Sequence, residues 1–588
     1  VSFRAGGEDW MGDASRIVLE THSGNEGAGH CGSLLIEADD DISFGDGAMI
    51  SSVTFGRGNT GDVTLRAGGP LSFSGRNSDF YHTGLNLRFF GQYRERNLGG
   101  VFSYISPKSS GGSGGDTLLE AGDITFSDGC SIHSVTLGSG SGGNITLRAA
   151  GPLSLTGSGG PDIWRGVISS AAYTLGEDSV AGDAGNILVE AGKLTLEDGR
   201  VINSTSVVVN GGKSGEAGDV TILVSGEVRL SGTNPFSAPQ KTEGSHISSN
   251  SGYGDSEGGR IIIRAETLIL EEGGYISAST RGTAEGGNVE IRVRDSVRIS
   301  GYPVTICTEA DECMLRPSGI AAASYRSSAD TGSGGKISLS AKELILTDSG
   351  AITTSTWGGG DAGDINLEVG RLESDNALIS SESMSETHGG AAGTITVDAD
   401  SVRFSDDSAV RTEAVSAGGG KITVTAENPV CLSDSRITTS VRGGSGSGGD
   451  IAVSSPEGGE VRFVILNNSR IEANAHEGAG GNIRIVAGHF VQSSESVVEA
   501  SSEKGIDGSV NIESPGTDIG GDLVILPETL IDAARWMKKP CSARTGEKSS
   551  SFVIKGRDAV PTALDDLRAS PPMWLENRDK DDKLRRKP

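Results

Sequence analysis

The sequence predicts an all-β fold, a right-handed parallel β-helix with three short strands per coil of about 28 residues, ending in a short C-terminal helix and tail. Three observations carry that reading. A glycine followed by a polar residue and an alternating apolar triplet recurs along the chain. Glycine reaches 90 of 588 residues while aromatics stay at 5%. Ile, Val and Leu also keep period-2 order, which disordered glycine- and serine-rich chains do not.

The repeat can be followed glycine by glycine. It runs through Gly61 (DVTL), Gly115 (DTLL), Gly143 (NITL), Gly185 (NILV), Gly218 (DVTI), Gly259 (RIII) and Gly287 (NVEI). It continues at Gly335 (KISL), Gly363 (DINL), Gly393 (TITV), Gly420 (KITV), Gly449 (DIAV), Gly481 (NIRI) and Gly508 (SVNI). The shortest intervals cluster at 27–30 residues, and the longer ones, up to 54, read as one unit plus an insertion. Within "GGRIIIRAETLILEEGGYISAST", Ile261–Ile263 form a first strand and Leu268–Leu270 a second. Ile276 marks the third, after a Gly273-Gly274 turn. Ile132, Ile168, Ile202, Ile352, Ile379, Val410, Ile437, Ile471 and Val498 hold the same third place. Such strands leave no room for ordinary helices and cannot bury an apolar face alone. Stacking solves this, because each coil covers the next. About 15 coils at roughly 4.8 Å each make a rod of about 70 Å.

The polar residue after each glycine then stacks in a column. Asp219 precedes Arg260, Lys336 precedes Asp364 and Lys421 precedes Asp450, so opposite charges meet one rung apart; Asn144 and Asn186 suit an amide ladder. Asp62 and Asp116 break this alternation. On this view, Arg260→Asp weakens the rod locally.

Insertions are expected over 76–112, 231–246 and 301–334 within a β-helical region spanning 1–526. The first holds Phe80, Tyr81, Phe89, Phe90, Tyr93, Phe102 and Tyr104, seven of the chain's 14 Phe and 8 Tyr, along with Arg94 and Arg96. Two readings stay open for it: a loop with its own small core, or an exposed aromatic and arginine surface for a glycan or protein. Cys307 and Cys313, inside "TICTEADECMLRP", are a candidate disulfide. After Pro527 the repeat stops. "PETLIDAARWMKKP" places Leu530, Ala534 and Met537 at helical spacing, a candidate cap for the rod's open strand edge, and the charged remainder of 527–588 reads as partly disordered.

Composition narrows the function. With 50 Lys and Arg against 78 Asp and Glu, the net charge of −28 argues against nucleic acid and anionic membranes as partners. No apolar run is long enough for a transmembrane helix. No metal or cofactor site is expected: the eight histidines include no HxxxH or HExxH spacing, and "GGSGGDTLL" fits the calcium-repeat template once without tandem copies. Asp before Gly, as in "LEDG" at 196–199, is turn chemistry. The expectation is a non-enzymatic protein. The alternative is a carbohydrate-active β-helix enzyme, a lyase or hydrolase, which needs converging carboxylates on one face.

The repeat, readable as G-[DN]-I-T-L-x-A-x-x-L-x-L-x-x-G-x-x-I-S, resembles that of filamentous haemagglutinin-type exoproteins of two-partner secretion. The tail "CSARTGEKSSSFVIKGRDAVP" (541–561) resembles the C-terminal segment of cyanobacterial-style members through Phe552-Val553-Ile554, Gly556-Arg557 and Pro561. Asp558-Ala559 stand where that segment has Gly-Gly. The resemblance implies a secreted, cell-surface adhesin-like protein of a Gram-negative-type bacterium. It also implies a partner, the outer-membrane transporter barrel used during export. "VSFRAGG" at Val1 matches "VTLRAGG" at 63–69, so the chain is expected to be part of a longer precursor.

Overall fold

The computed structural model describes residues 1–4, 16–21, 29–75, 99–105, 111–157, 166–174, 180–208, 212–234, 244–252, 255–301, 304–307, 313–387 and 389–515. The chain divides into two units, Val1–Leu523 and Val524–Pro588. The expected cap helix and tail lie outside the described residues. The first unit is a parallel β-helix. A 26-stranded sheet wraps its first and second faces, and a 15-stranded sheet forms the third.

Each coil begins at the glycine corner. Ile145–Ala149 is a typical first-face strand, with Ile145 and Leu147 fully buried and Arg148 exposed. Pro152–Leu155 follows on the second face, burying Leu153 and Leu155, and Val167–Thr174 forms the third. In some later coils the first two strands run on without a break, as in Ile365–Asp375 and Ile395–Ser405. The third-face isoleucines stack in unbroken register. Ile132, Ile168 and Ile202 are successive partners, as are Ile320, Ile352 and Ile379. Phe3, Phe44, Phe73 and Phe126 stack in the second-face column with centroids 4.7 to 4.9 Å apart, the spacing of the coils themselves.

Two insertions are smaller than the sequence suggests. Gly100–Ile105 is a third-face strand lying between Met49–Thr54 and Ser131–Leu137, so Phe102 and Tyr104 belong to the rod and not to the loop. Gly319–Ala321 is likewise a coil strand, paired with Tyr275–Ser277 and Ala351–Thr356. Within 301–334 the true excursion is a hairpin, Val304–Cys307 against Cys313–Arg316. His246–Ser251, whose first residue closes the expected 231–246 insertion, is again a third-face strand.

The corner explains the glycines. A Cβ on Gly143 would sit 2.1 Å from the carbonyl oxygen of Gly115, and one on Gly185 would sit 2.3 Å from that of Gly143. Each corner glycine rests on the one before it, and no side chain fits between. The turn into the third strand has a different logic. Asp46, Asp128 and Asp198 take positive φ of 54°, 55° and 60°, a left-handed state that Asp tolerates better than most residues, ahead of Gly47, Gly129 and Gly199.

Charge accounts for only part of the polar column. Arg260 Nη2 does reach Asp219 Oδ2 at 3.1 Å. The commoner link is a backbone N–H donating to the side-chain oxygen one coil below: Asp116 to Asp62 (2.9 Å), Asn144 to Asp116 (2.8 Å), Asn186 to Asn144 (2.9 Å), Asp219 to Asn186 (2.7 Å) and Arg260 to Asp219 (2.8 Å). Successive acids at 62 and 116 are therefore compatible, because an aspartate there serves as an acceptor. Asn186→Ala is expected to cost up to about 1 kcal/mol, since it exchanges the exposed bond from the Asp219 N–H for one to water, while Asn186→Asp keeps an acceptor and costs less than half of that. Thermal unfolding of the two variants checks this. Arg260→Asp keeps the Asp219 bond through its own amide, loses an exposed ion pair and sets a second exposed carboxylate beside Asp219, so it weakens the rod locally by about 1 kcal/mol.

Candidate functional site

Three features could carry function: the loops, a charged column on the first face, and a carboxylate pair on the third. Of the loop residues, Phe80, Tyr81, Phe89, Phe90, Tyr93, Arg94 and Arg96 lie outside the described residues. Beside the strand that follows them, Val53, Tyr104 and Leu137 form a separate small core, with Phe55, Val135 and Tyr173 packed against it. Cys307 and Cys313 are directly opposite in the hairpin register. Cys31, Cys130 and Cys431 are free thiols, and burial pushes the Cys130 thiol up to about 12, which leaves it un-ionised at neutral pH.

The first-face column is built by the alternation of the strand. Its inward residues fill the core and its fourth residue faces solvent. Read coil by coil, the fourth residues are Glu37, Arg66, Glu120, Arg148 and Glu190, a strict alternation of sign. Arg66 pairs with Glu37 at 2.8 Å and Glu120 at 3.3 Å, and Arg148 pairs with Glu190 at 2.6 Å. Then the pattern changes. Leu223 is followed by Arg264, Arg292, Ser340, Glu368 and Asp398. This order needs the strand register to be seen, because successive residues of the column lie 28 to 54 positions apart. Sequence reasoning missed it for that reason.

On the third face, Glu382 and Glu413 sit on consecutive coils, each one residue before the bridged pair Ser383 and Ala414. Glu382 is almost buried, its side chain 8% exposed, and Arg411 approaches its Oε1 to 2.8 Å. The approach is not aligned for hydrogen bonding, so that oxygen and Arg411 Nε make no hydrogen bond and the two groups attract as charges only. Glu413 accepts a 2.8 Å hydrogen bond from Thr438 and pairs with Arg442. Burial raises the Glu382 pKa, with nearby Glu413 adding to the rise and Arg411 and Arg442 opposing it. A raised pKa in the folded state means that Glu382 binds its proton more tightly there than in the unfolded chain. Its contribution is then most favourable at acid pH and is lost as pH rises through the raised value. The stability of the wild type relative to Glu382→Gln is therefore expected to fall as pH rises from below the ordinary glutamate range, and denaturant unfolding across pH checks the sign.

Among the described residues, no group of three or more His, Cys, Asp or Glu is placed to hold a metal ion, and no helix is long and apolar enough to cross a membrane. Compared with protein-family models, curated proteins and solved structures, the chain matches none.

Proposed function

We propose that this chain is the rod of a secreted, cell-surface exoprotein of filamentous haemagglutinin type, with a structural and adhesive role. On this reading it leaves the cell by two-partner secretion through an outer-membrane transporter barrel, and its loops meet a glycan or protein on a host or neighbouring cell. One observation carries the proposal: the recurring polar letters of the repeat are used up in stacking. Ser134, Ser170 and Ser204 accept N–H bonds from the corner glycines Gly143, Gly185 and Gly218, and the Asn and Asp column holds the next amide along. Residues spent in this way build length and outward surface. The tail at 541–561 supports the same family by resemblance. Specificity then falls to the places where repetition breaks, the aromatic and arginine residues between Phe80 and Arg96 first among them.

Fractionating cultures of the producing bacterium tests this proposal. The protein is expected in the medium or on the outer surface, and deleting its gene is expected to reduce attachment of the cells. Confinement to the cytoplasm would overturn it. An oxidising destination also suits a Cys307–Cys313 disulfide, since directly opposed antiparallel residues have Cα atoms about 4.5–5.5 Å apart, within disulfide reach. Mass spectrometry of the native protein is expected to show these two thiols blocked from alkylation until reduction.

A second reading, a carbohydrate-active enzyme, draws on Glu382 and Glu413. Carboxylates one coil apart, about 4.8 Å, approach the separation used by retaining glycosidases, and burial raises the pKa of one of them. Their arginine partners favour a structural role. Release of reducing ends from a polysaccharide panel by the wild type, lost in Glu413→Gln, would instead support the enzyme.

A further inference from the structure

The change of pattern along the first-face column points to a partner. Arg264 and Arg292 are adjacent like charges, as are Glu368 and Asp398, and like charges directly opposite one another in a sheet are unfavourable. The same column avoids this over its first five coils. Arg264, Glu368 and Asp398 are all exposed and make no side-chain hydrogen bond or ion pair among the described residues. Arg292 reaches only Glu290 of its own strand, at 3.0 Å. Two like-charge pairs of opposite sign, in which only Arg292 has an ion-pair partner, thus sit on either side of Ser340, in the order Arg264, Arg292, Ser340, Glu368, Asp398.

That order is its own complement when reversed. We propose that the first face of this segment is an isologous interface, on which a second copy of the chain lies antiparallel about a two-fold axis that passes over Ser340 along the strand direction. Such an axis reverses the order of the coils and leaves each residue's place along its strand unchanged. Arg264 then faces Asp398 of the second copy, Arg292 faces Glu368 of the second copy, and symmetry repeats both, giving four ion pairs. The neighbouring outward stripe offers no conflict. Ile262 meets Thr396, Glu290 meets Asn366 and Ser338 meets itself, all half-exposed. On the other side Glu266 is neutralised by Arg294 at 2.6 Å, so the exposed Asp400 of the second copy comes up against a balanced pair. Lys342, on the axis, meets itself, a like-charge contact that Asp295, 4.0 Å from each lysine, offsets. One occupant accounts for both like-charge pairs, whereas a soluble anion would account only for the arginines. This inference rests on the register of the rod and is independent of the adhesive reading.

Charge reversal in the full chain tests it. Sedimentation velocity of the wild type at low ionic strength is expected to show a dimer that weakens as salt is added. Arg264→Glu with Arg292→Glu, and separately Glu368→Arg with Asp398→Arg, are each expected to sediment as monomers. Mixed in equal amounts, the two variants are expected to form a heterodimer, because one column is then wholly acidic and the other wholly basic. The variant carrying all four reversals regains self-complementarity and is expected to dimerise again. All four positions are exposed, and unchanged circular dichroism establishes that each variant is folded. A monomeric wild type at low salt, or reversal of Glu368 and Asp398 that leaves the dimer intact, would overturn the proposal. Failure of the folded variants to associate on mixing would do so as well.

Discussion

Gly363→Val is expected to lower stability by more than about 4 kcal/mol, the range reached only when a substitution has nowhere to go. The corner of this coil stacks directly on its neighbour. A Cβ at Gly363 would lie 1.9 Å from the carbonyl oxygen of Gly335 and 2.7 Å from its carbon, which are backbone atoms that cannot rotate away. The Gly363 carbonyl also accepts hydrogen bonds from Thr354 at 2.6 Å and Ser381 at 2.7 Å, so displacing the corner breaks a buried polar contact on each side. Gly418 provides the control. A Cβ there meets nothing within 4 Å, and Gly418→Ala is expected to leave stability unchanged or raise it by up to about 1 kcal/mol by restricting the unfolded chain. Thermal unfolding distinguishes the two. Equal effects would show that the clash at the corner is not what selects glycine.

Phe73→Ala is expected to cost about 3–5 kcal/mol, the cost of a buried aromatic replaced by a void. Phe73 is fully buried, with Phe44 at 4.7 Å on one side and Phe126 at 4.9 Å on the other. Neither neighbour can collapse into the gap without leaving its own coil. Phe73→Leu is expected to cost far less, because the same column carries leucine farther along, at Leu155, Leu196 and Leu230. In a stacked array these losses are local. Chemical denaturation should show the coils around residues 42–126 unfolding early in Phe73→Ala while later coils hold.

Much of this fold could be read from period and spacing. The columns of isoleucine on the third face follow from one unit repeated, and the Asp-Gly turns follow from the tolerance of Asp for positive φ. What could not be read depends on register or direction. A residue type at 186 says that an amide is present, but only the structure shows its oxygen accepting the amide of Asp219. Gly100–Ile105 was hidden because Phe102 and Tyr104 interrupt the usual small outward letters with aromatics that match the nearby loop. The like-charge pairs were invisible for another reason. Arg264 and Arg292 become neighbours only once intervals of unequal length are closed by the coil.

One continuous stack of coils, each covering the next, runs through the repeat region. Hydrogen–deuterium exchange of the wild-type chain tests it most directly. The inward strand amides and the Asn and Asp column amides are expected to be protected in every coil from Leu34 to Val498, with the ends of the stack exchanging first. Protection confined to a few separated blocks, with intervening coils exchanging as unfolded chain, would contradict it.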